Sequence, residues 1–239
     1  ITGSLVSGDF YPNKSDIDLI IIAKENFDKK QLSQLASFHK QFARKFGRPY
    51  INGFYFTPEN LKRTFRTAPA YFDGKSFVES FPLNLLETNL FELKHNSIPL
   101  FENEKIDFEI SFEDVHKNNF ENINSYWKNW LHSHEKNFLK SSTLMCIPRL
   151  TEWGILGAGR MLCTLNENRI VSKRYAGEYI LKILPERFSE IISEAIIIRK
   201  NNRTEFKLSL KRKKETIRCV KFLIEEYSKI YAKKYGGAN

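Results

Sequence analysis

The sequence predicts an α+β chain with an N-terminal α/β domain over residues 1–119 and a C-terminal α-helical bundle over residues 120–239. Two patterns predict this class. Strand-like apolar runs alternate with helical patterns in the first half, as in α/β units built around a small sheet. In the second half the helical pattern continues almost to the end, with breaks at Pro185 and at the Asn201-Asn202 pair.

The elements of the first half follow from local patterns. Residues 17–23 form a β-branched run that is typical of a strand buried on both faces. Residues 28–46 place apolar side chains at helical spacing, and Gly47 ends that helix. Residues 49–56 predict a second strand. Because the chain begins at Ile1, directly in a strand-like stretch, we expect that part of the N-terminal domain precedes it.

The composition argues against several classes of protein. No apolar run approaches the roughly 18 to 20 residues that span a bilayer, and the start lacks a signal-peptide pattern. We therefore expect a cytoplasmic protein without a membrane partner. The cysteines are widely spaced and lack a C-x-x-C pattern, so they indicate neither a disulfide framework nor a zinc site. They are Cys146, Cys163 and Cys219.

Charge is unevenly distributed along the chain. Residues 1–120 carry 15 Lys and Arg against 16 Asp and Glu, whereas residues 121–239 carry 23 against 12. The halves therefore have net charges of −1 and +11, within a total of +10. This asymmetry indicates an anionic ligand, such as a nucleoside triphosphate or a nucleic acid, on the second half. A solvated lysine-rich surface would give the same count.

Two acidic residues stand at the start of the first predicted strand. Asp16 and Asp18 are at i and i+2, so their side chains point to the same face. Carboxylates held together resist burial unless a cation neutralises them, and such oxygen ligands suit Mg²⁺. Upstream, Gly3 permits close backbone approach, and Ser4 offers a hydroxyl group and an N–H to phosphate oxygens. We therefore predict a metal site beside a phosphate-binding turn.

These motifs resemble those of the nucleotidyltransferases that share the DNA polymerase beta-like catalytic fold. Their signature, Gly-Ser, a spacer and then Asp-x-Asp, is matched by Gly3-Ser4 and by Ser15-Asp16-Ile17-Asp18. Within that superfamily the chain is similar to the streptomycin/spectinomycin adenylyltransferases. The similarity extends into the helical half, over residues 157–162, 170–179 and 184–185. It implies a nucleotidyltransferase domain with a small mixed sheet, followed by a helical domain that closes over nucleotide and acceptor.

The resemblance also implies the reaction and the partners. AMP is transferred from ATP, the co-substrate, to a hydroxyl group of a small-molecule acceptor such as streptomycin or spectinomycin, with two Mg²⁺ ions as cofactors. The implied metal ligands are Asp16 and Asp18, and the implied nucleotide contacts of the first domain are Gly3, Ser4 and Ser15. We expect a monomer without a nucleic-acid partner.

The resemblance implies three further nucleotide contacts in the helical half. It places Arg160 and Lys173 against the nucleotide and Arg199 close to it. Ser172 is a good N-cap, so Lys173 stands in a first helical turn, where the helix dipole disfavours a cation by roughly 0.3 to 1 kcal/mol. Bound phosphate would reverse that penalty. The alternatives are a buried ion pair with a glutamate for Arg160 and a surface charge for Arg199.

One acidic position of the family is an amide in this chain. These enzymes generally place a third carboxylate on the following strand, where it takes the proton from the attacking hydroxyl group. The matching position is Asn52, whose amide cannot act as a base near neutral pH and binds Mg²⁺ weakly. Either activity is lost or altered, or another acid such as Glu79 or Asp73 takes over, or Asn52 is an engineered change.

Two other functions stay open at this point. A nucleotide-binding protein without catalysis would follow from Asn52, and a nucleic-acid-directed transferase would use the basic helix predicted over residues 205–235. The identity of the acceptor stays open as well, because polycationic aminoglycosides prefer acidic clefts and the second half of the chain is basic. An acidic pocket would have to come from Glu152, Glu178 or Glu79.

Overall fold

A computed structural model of the protein describes residues 1–61, 67–74, 76–82, 86–101, 107–137, 142–144, 146–201 and 210–236. The chain divides into two compact units, unit 1 over Ile1–Asn118 and unit 2 over Asn119–Asn239. Unit 1 combines a four-stranded sheet with helices, and the described part of unit 2 is helical, so the predicted α+β class is confirmed. Within the described residues, no helix is long and apolar enough to cross a membrane.

The sheet of unit 1 is mixed. Its strands, in the order in which they lie side by side, are β1 (Ile17–Ile22), β2 (Ile51–Phe56), β3 (Thr67–Phe72) and β4 (Phe77–Pro82). β1 and β2 are parallel, and the other neighbouring pairs are antiparallel. The parallel pair needs a long connection, which here includes a helix, whereas the antiparallel β3 and β4 follow each other across a short turn.

β1 differs from its prediction in one respect. The sequence predicts burial on both faces, but all six residues of β1 are only partly buried. The reason is its position at the edge of the four strands, where fewer elements cover a strand than at the centre. On the side away from β2, Thr2 forms an isolated antiparallel bridge to Asp18. That bridge brings the first residues of the chain alongside the start of β1.

Helix α1 (Lys29–Phe46) agrees with its predicted bounds within one residue. It begins with a capping box, in which the Asp28 side chain accepts a hydrogen bond from Gln31 N and the Gln31 side chain accepts one from Asp28 N. Gly47 closes the helix, donating its N–H to Ala43 O at 3.0 Å. The short helix α2 spans Pro58–Leu61, and α3 spans Glu87–His95.

A buried apolar cluster covers one face of the sheet. It contains Phe54 and Phe56 of β2 and Leu90 of α3, with β1 isoleucines packed against it. Because side chains alternate along a strand, Asp18 and Asn52 point to this same face, just before its apolar positions. The polar site of unit 1 therefore lies where an otherwise apolar sheet face begins.

Unit 2 is built around a central helix, α6 (Pro148–Glu167), which packs against three other helices of the unit. The elements from α4 onward are α4 (Phe112–Asn122, which contains the division between the units), a π-helical turn (Ile123–Trp127), α5 (Lys128–Lys136), α6 (Pro148–Glu167), α7 (Lys173–Ile183), a 3₁₀ turn (Glu186–Phe188), α8 (Ser189–Asn201) and α9 (Leu210–Tyr235). The basic helix predicted from residue 205 corresponds to α9, and residues 205–209 lie outside the described residues.

Small residues on α6 let its neighbours pack closely. A Cβ atom at Gly157 would lie 2.5 Å from the Trp127 ring, and one at Gly154 would lie 2.9 Å from the Trp130 ring. Trp127 belongs to the bundle core, and Trp130 packs against it. The glycines in this helix therefore make room for tryptophan rings.

Candidate active site

The first turn of the chain lies directly against the Asp18 carboxylate. Gly3 has a φ of +71°, and a Cβ atom built on it would lie 2.1 Å from Asp18 Oδ2. Only glycine fits, because the carboxylate occupies the space that a side chain would need. Ser4 follows in the same turn, partly exposed, with its carbonyl oxygen accepting a 3.0 Å hydrogen bond from Asp9 N. The predicted phosphate turn and a predicted metal ligand are thus neighbours.

Asp18 also meets Asn52 across the sheet. The two residues are direct partners in the parallel register of β1 and β2, and Asn52 Nδ2 donates a 3.0 Å hydrogen bond to Asp18 Oδ1. Within the described part of the chain, the buried Asn52 Oδ1 has no hydrogen-bond partner. The position predicted for a base therefore lies beside Asp18, but its side chain donates a hydrogen bond to that carboxylate.

Asp16 and Ser15 lie just before β1. Asp16 Oδ1 is 3.3 Å from Arg48 Nη1, in a pair whose side chains are both about a third exposed. The same guanidinium lies over the Tyr50 ring, 4.7 Å from its centroid. Ser15 is buried, and its hydroxyl oxygen accepts a 3.0 Å hydrogen bond from Tyr11 N. The Ser15 side chain therefore holds the preceding turn in place.

Tyr71 of β3 is influenced by several of the acidic groups. Burial raises the pKa of Tyr71 to about 12, the charges of Asp73, Asp18 and Asp16 add to the rise, and a hydrogen bond with Asn52 opposes it. Negative charges act on a phenol in this way at short range. The charges of Asp16, Asp18 and Asp73 therefore all act on the Tyr71 hydroxyl group.

The two acids named as replacements for the missing carboxylate lie in different places. Asp73 Oδ1 accepts a 2.6 Å hydrogen bond from Ser76 N in the turn between β3 and β4. Glu79 is exposed on β4, in register with Ala70. Since Ala70 is adjacent to Tyr71 on the strand, it points to the opposite face, and Glu79 points there with it. Of these two acids, Asp73 is the one whose charge acts on Tyr71 together with those of Asp18 and Asp16.

Sequence reasoning missed one residue of the site, Glu92. It lies on α3, and its Oε2 accepts a 3.1 Å hydrogen bond from Gly3 N, 89 positions away in the chain. The carboxylates of Asp18 and Glu92 thus both lie against the Gly3 backbone. A single glutamate on a helix forms no motif, so no signal in the sequence marks this contact.

The oxygen atoms on this face fit a hard divalent cation. Asp16 and Asp18 offer carboxylates, and the buried Asn52 Oδ1 is an acceptor without a donor within the described residues. Mg²⁺ in proteins takes one or two carboxylates and completes its shell with water and substrate phosphates. Among the described residues, no group of three or more His, Cys, Asp or Glu side chains could hold a metal. The face therefore fits a cation shared with a phosphate ligand.

In unit 2, two of the predicted nucleotide contacts meet at one carboxylate. Glu152 Oε1 lies 3.9 Å from Lys173 Nζ and 3.5 Å from Arg199 Nη1. Glu152 and Arg199 are both buried, so Arg199 is not the surface charge that its position in the sequence allowed. Arg160 is partly exposed and, within the described residues, forms no ion pair.

Lys173 begins α7 in a poorly solvated position. Ser172 caps this helix, its hydroxyl oxygen accepting a 3.1 Å hydrogen bond from Tyr175 N. Burial lowers the pKa of Lys173 to about 8, Glu152 opposes the fall, and three nearby arginines add to it. These arginines are Arg160, Arg199 and Arg149.

An aromatic pair lies beside Lys173. Trp153 is 40% exposed, and Lys173 Nζ lies 4.3 Å from the centroid of a Trp153 ring, within the range of a cation–π contact. The indole Nε1 donates a 3.1 Å hydrogen bond to the hydroxyl group of Tyr126, which is also exposed. The ammonium group of Lys173 therefore has a carboxylate and an indole face as neighbours.

The chain resembles known proteins over both units. Residues 124–226 match the family model of the aminoglycoside adenylyltransferase C-terminal domain. No curated protein matches the chain. Among solved structures, it is similar to spectinomycin adenyltransferase AAD(9) from Enterococcus faecialis, determined with ATP and spectinomycin. The identity is 15% and the TM-score 0.70, over 94% of this chain and 89% of that one.

These matches bear on the two units differently. The structural likeness covers nearly the whole chain, and at this identity it establishes the fold. The family match lies entirely within unit 2 and confirms the resemblance seen in the sequence. Residues 124–226, within unit 2, are thus similar to the aminoglycoside adenylyltransferase C-terminal domain, in a chain whose fold is that of the spectinomycin adenyltransferase.

Proposed function

We propose that this chain transfers AMP from ATP to a hydroxyl group of a small-molecule acceptor in a magnesium-dependent reaction. The observation that carries the proposal is the contact between the Gly3 turn and the Asp18 carboxylate. It brings backbone donors suited to phosphate and a ligand suited to Mg²⁺ to one point. The family match of unit 2 and the adenyltransferase fold support the same reaction class.

In unit 1 we assign the metal to Asp16 and Asp18, with Asn52 Oδ1 as a further oxygen. Bound Mg²⁺ would neutralise charge on the triphosphate and on the departing pyrophosphate. The N–H and hydroxyl groups of Ser4 would orient phosphate oxygens, while the Gly3 N–H already donates to Glu92. Ser15 would act indirectly, because its hydroxyl oxygen already accepts a hydrogen bond from the turn before Asp16.

The proposed chemistry is an in-line displacement. The acceptor oxygen bonds to the α-phosphorus, the bond to pyrophosphate breaks, and the hydroxyl proton leaves to a base. Asn52 cannot take that proton, and its amide faces Asp18 as a donor. We therefore propose that this chain turns over slowly, with Asp73 or water receiving the proton.

In unit 2 we assign nucleotide contacts to Arg160, Lys173 and Arg199. Lys173 lies among three arginines and has one buried carboxylate, Glu152, as its neighbour. The cluster therefore keeps an excess of positive charge, which suits a polyphosphate. A polyphosphate at the N-terminus of α7 would also be stabilised by the helix dipole.

The acceptor we propose carries fewer positive charges than streptomycin. Of the acids that could have formed a pocket for a polycation, Glu152 is buried against two cations. Glu178 is half-exposed and pairs with Arg174 and Lys200, each at 3.6 Å. Glu152 and Glu178 are therefore both already partnered. Between the two family acceptors, this favours spectinomycin, which has fewer cationic groups than streptomycin.

Mass spectrometry of an acceptor panel tests the proposal. Spectinomycin, streptomycin and other aminoglycosides are incubated with ATP and Mg²⁺ and with the wild type, Asn52→Glu or Asp18→Asn. We expect an AMP adduct of one acceptor with the wild type, more of it with Asn52→Glu, and none with Asp18→Asn. An adduct that forms equally well with Asp18→Asn would refute the assignment of the metal face.

The hydrogen bond from Asn52 to Asp18 favours one alternative, a nucleotide-binding protein without catalysis. The amide gives Asp18 a neutral partner, so the carboxylate is satisfied in a state that needs no metal. Such a protein would bind ATP without forming an adduct of any acceptor. If Asn52→Glu also bound ATP but formed no AMP adduct of any acceptor, the protein without catalysis would be the better account.

A further inference from the structure

Glu152 pairs with two cations at once, and these ion pairs link three helices. The glutamate belongs to α6, Lys173 begins α7, and Arg199 lies near the end of α8. Its Oε1 is within 4 Å of the charged nitrogen of each partner, and its side chain is 2% exposed. A carboxylate so thoroughly removed from water is stable as an anion only if cations accompany it. The converse also holds, because the cations depend on the carboxylate.

Apart from Glu152, the surroundings of Lys173 destabilise its charged form. Burial is the main cause of its lowered pKa, and the charges of Arg160 and Arg149 of α6 and of Arg199 of α8 lower it further. The N-terminal turn of α7 disfavours a cation there as well. Glu152 is the anion that opposes these influences. Without it, Lys173 would have the Trp153 face as its remaining favourable neighbour among the contacts described above.

We propose that Glu152 is the positioning residue of this cluster, which holds Lys173 and Arg199 side by side, both charged, for an incoming polyphosphate. This inference rests on the proposed nucleotide contacts of unit 2. Glu152 itself is too buried to contact a ligand, and as an anion it would repel phosphate. Its contribution is made through the two cations, because it stabilises the charge of the Lys173 ammonium group and orients both side chains before the ligand arrives.

The first test measures Lys173 without any ligand. Competitive acetylation across a pH series, read by mass spectrometry, gives the pKa of this single lysine in the full chain. We expect a lower pKa for Lys173 in Glu152→Gln than in the wild type, because the amide has nearly the same shape but no charge. Glu152→Asp keeps the charge and should stay closer to the wild type. An unchanged pKa in Glu152→Gln would overturn the proposal.

The second test measures ATP affinity by isothermal titration calorimetry between about pH 6.5 and about pH 9.5. A cation whose folded pKa is lowered loses its charge as the pH rises through that value, so wild-type affinity should fall near pH 8. In Glu152→Gln the affinity should begin to fall at a lower pH. At a pH above both pKa values, each pKa unit by which Lys173 is lowered in the variant should weaken ATP binding about tenfold. A merely structural role would lower affinity equally at every pH, which would contradict the proposal.

Two comparisons separate the possible failures. In Glu152→Gln/Lys173→Arg the guanidinium stays charged over this range, so the pH step should vanish. A step that persists in this double variant would show that Glu152 does not act through Lys173. If the wild type binds no ATP at any pH, the proposed function fails, while the acetylation experiment still decides whether Glu152 keeps Lys173 charged.

Discussion

The side-chain amide of Asn52 donates a 3.0 Å hydrogen bond to the Asp18 carboxylate, which on its other side lies against the Gly3 backbone. The neutral amide of Asn52 thus satisfies Asp18 with a hydrogen bond, whereas a carboxylate at position 52 would need a cation between the two acids. A carboxylate at position 52 would face Asp18 at about the same separation. The residue therefore decides whether this face of the sheet is stable without a metal.

The first prediction concerns metal-dependent stability. We expect Asn52→Asp to lower the free energy of unfolding by about 1 kcal/mol in EDTA, because it replaces a hydrogen bond with repulsion at a partly solvated site. Mg²⁺ should restore much of that loss. Thermal unfolding with and without Mg²⁺ measures both effects. Asn13→Asp, at an exposed turn position, controls for the added charge. Equal responses of the two variants to Mg²⁺ would contradict the account.

The second prediction concerns the Gly3 turn. Gly3→Ala would place a Cβ atom on the Asp18 carboxylate, whereas Gly8→Ala has the same kind of backbone conformation, with a φ of +67°, and open space around its Cβ. Both variants carry a conformational cost of roughly 1 kcal/mol. Only Gly3→Ala should also weaken Mg-ATP binding, which calorimetry measures. Equal ATP affinities for the two variants would argue against this turn as the phosphate site.

The third prediction concerns the pH dependence of stability. His39 is buried, stacks on Phe72 with ring centroids 4.3 Å apart, and hydrogen-bonds to the Tyr55 hydroxyl group. Burial lowers the pKa of His39 below its ordinary 6.5, so the unfolded chain binds this proton more readily than the folded one. The stability from neutral His39 is present above pH 6.5 and is lost as the pH falls below that value.

Melting temperatures at about pH 7.5 and about pH 5.5 test this. The wild type should lose stability on acidification, and His39→Gln should lose less, since glutamine does not titrate. His132→Gln, at an exposed position, should behave like the wild type. If His39→Gln and His132→Gln responded equally to acid, the burial of His39 would not be the cause.

The fourth prediction concerns the packing of α6. Gly157→Ala should destabilise the chain by about 1 to 3 kcal/mol through overpacking against Trp127, more than the roughly 0.5 to 1 kcal/mol that alanine gains in a helix. Chemical denaturation gives the value. Trp127→Phe in the Gly157→Ala background should recover part of the loss, because the smaller ring vacates the contact. Additive losses in the double variant would show that the two residues do not clash.

Much of the fold was accessible from local patterns. The β-branched run at residues 17–23, the Asp28 cap and Gly47 place β1 and α1 within about one residue of their observed ends, because strand runs and helix caps are short-range features. The Gly157 segment contributed to recognising the family, and the packing of Trp127 gives a physical reason for its small residue.

The contacts that assemble the candidate site depend on tertiary structure. The pairing of Asp18 with Asn52 is a matter of sheet register, and the bond from Gly3 to Glu92 joins distant parts of the chain. β1 is partly exposed because it lies at the edge of the sheet, and the composition of a strand does not show where it lies in a sheet. Likewise, the ion pair between Lys173 and Glu152 forms only because α6 and α7 pack together. The local periodicity of the sequence carries no information about such long-range contacts.

The measurement that tests the central claim most directly is the Mg²⁺ dependence of ATP binding to the wild type and to Asp18→Asn. The account places the metal and the triphosphate at the Gly3–Asp18 contact. Calorimetry should therefore show that Mg²⁺ strengthens ATP binding to the wild type and that Asp18→Asn loses most of this gain. An unchanged affinity and an unchanged Mg²⁺ response in Asp18→Asn would contradict the account.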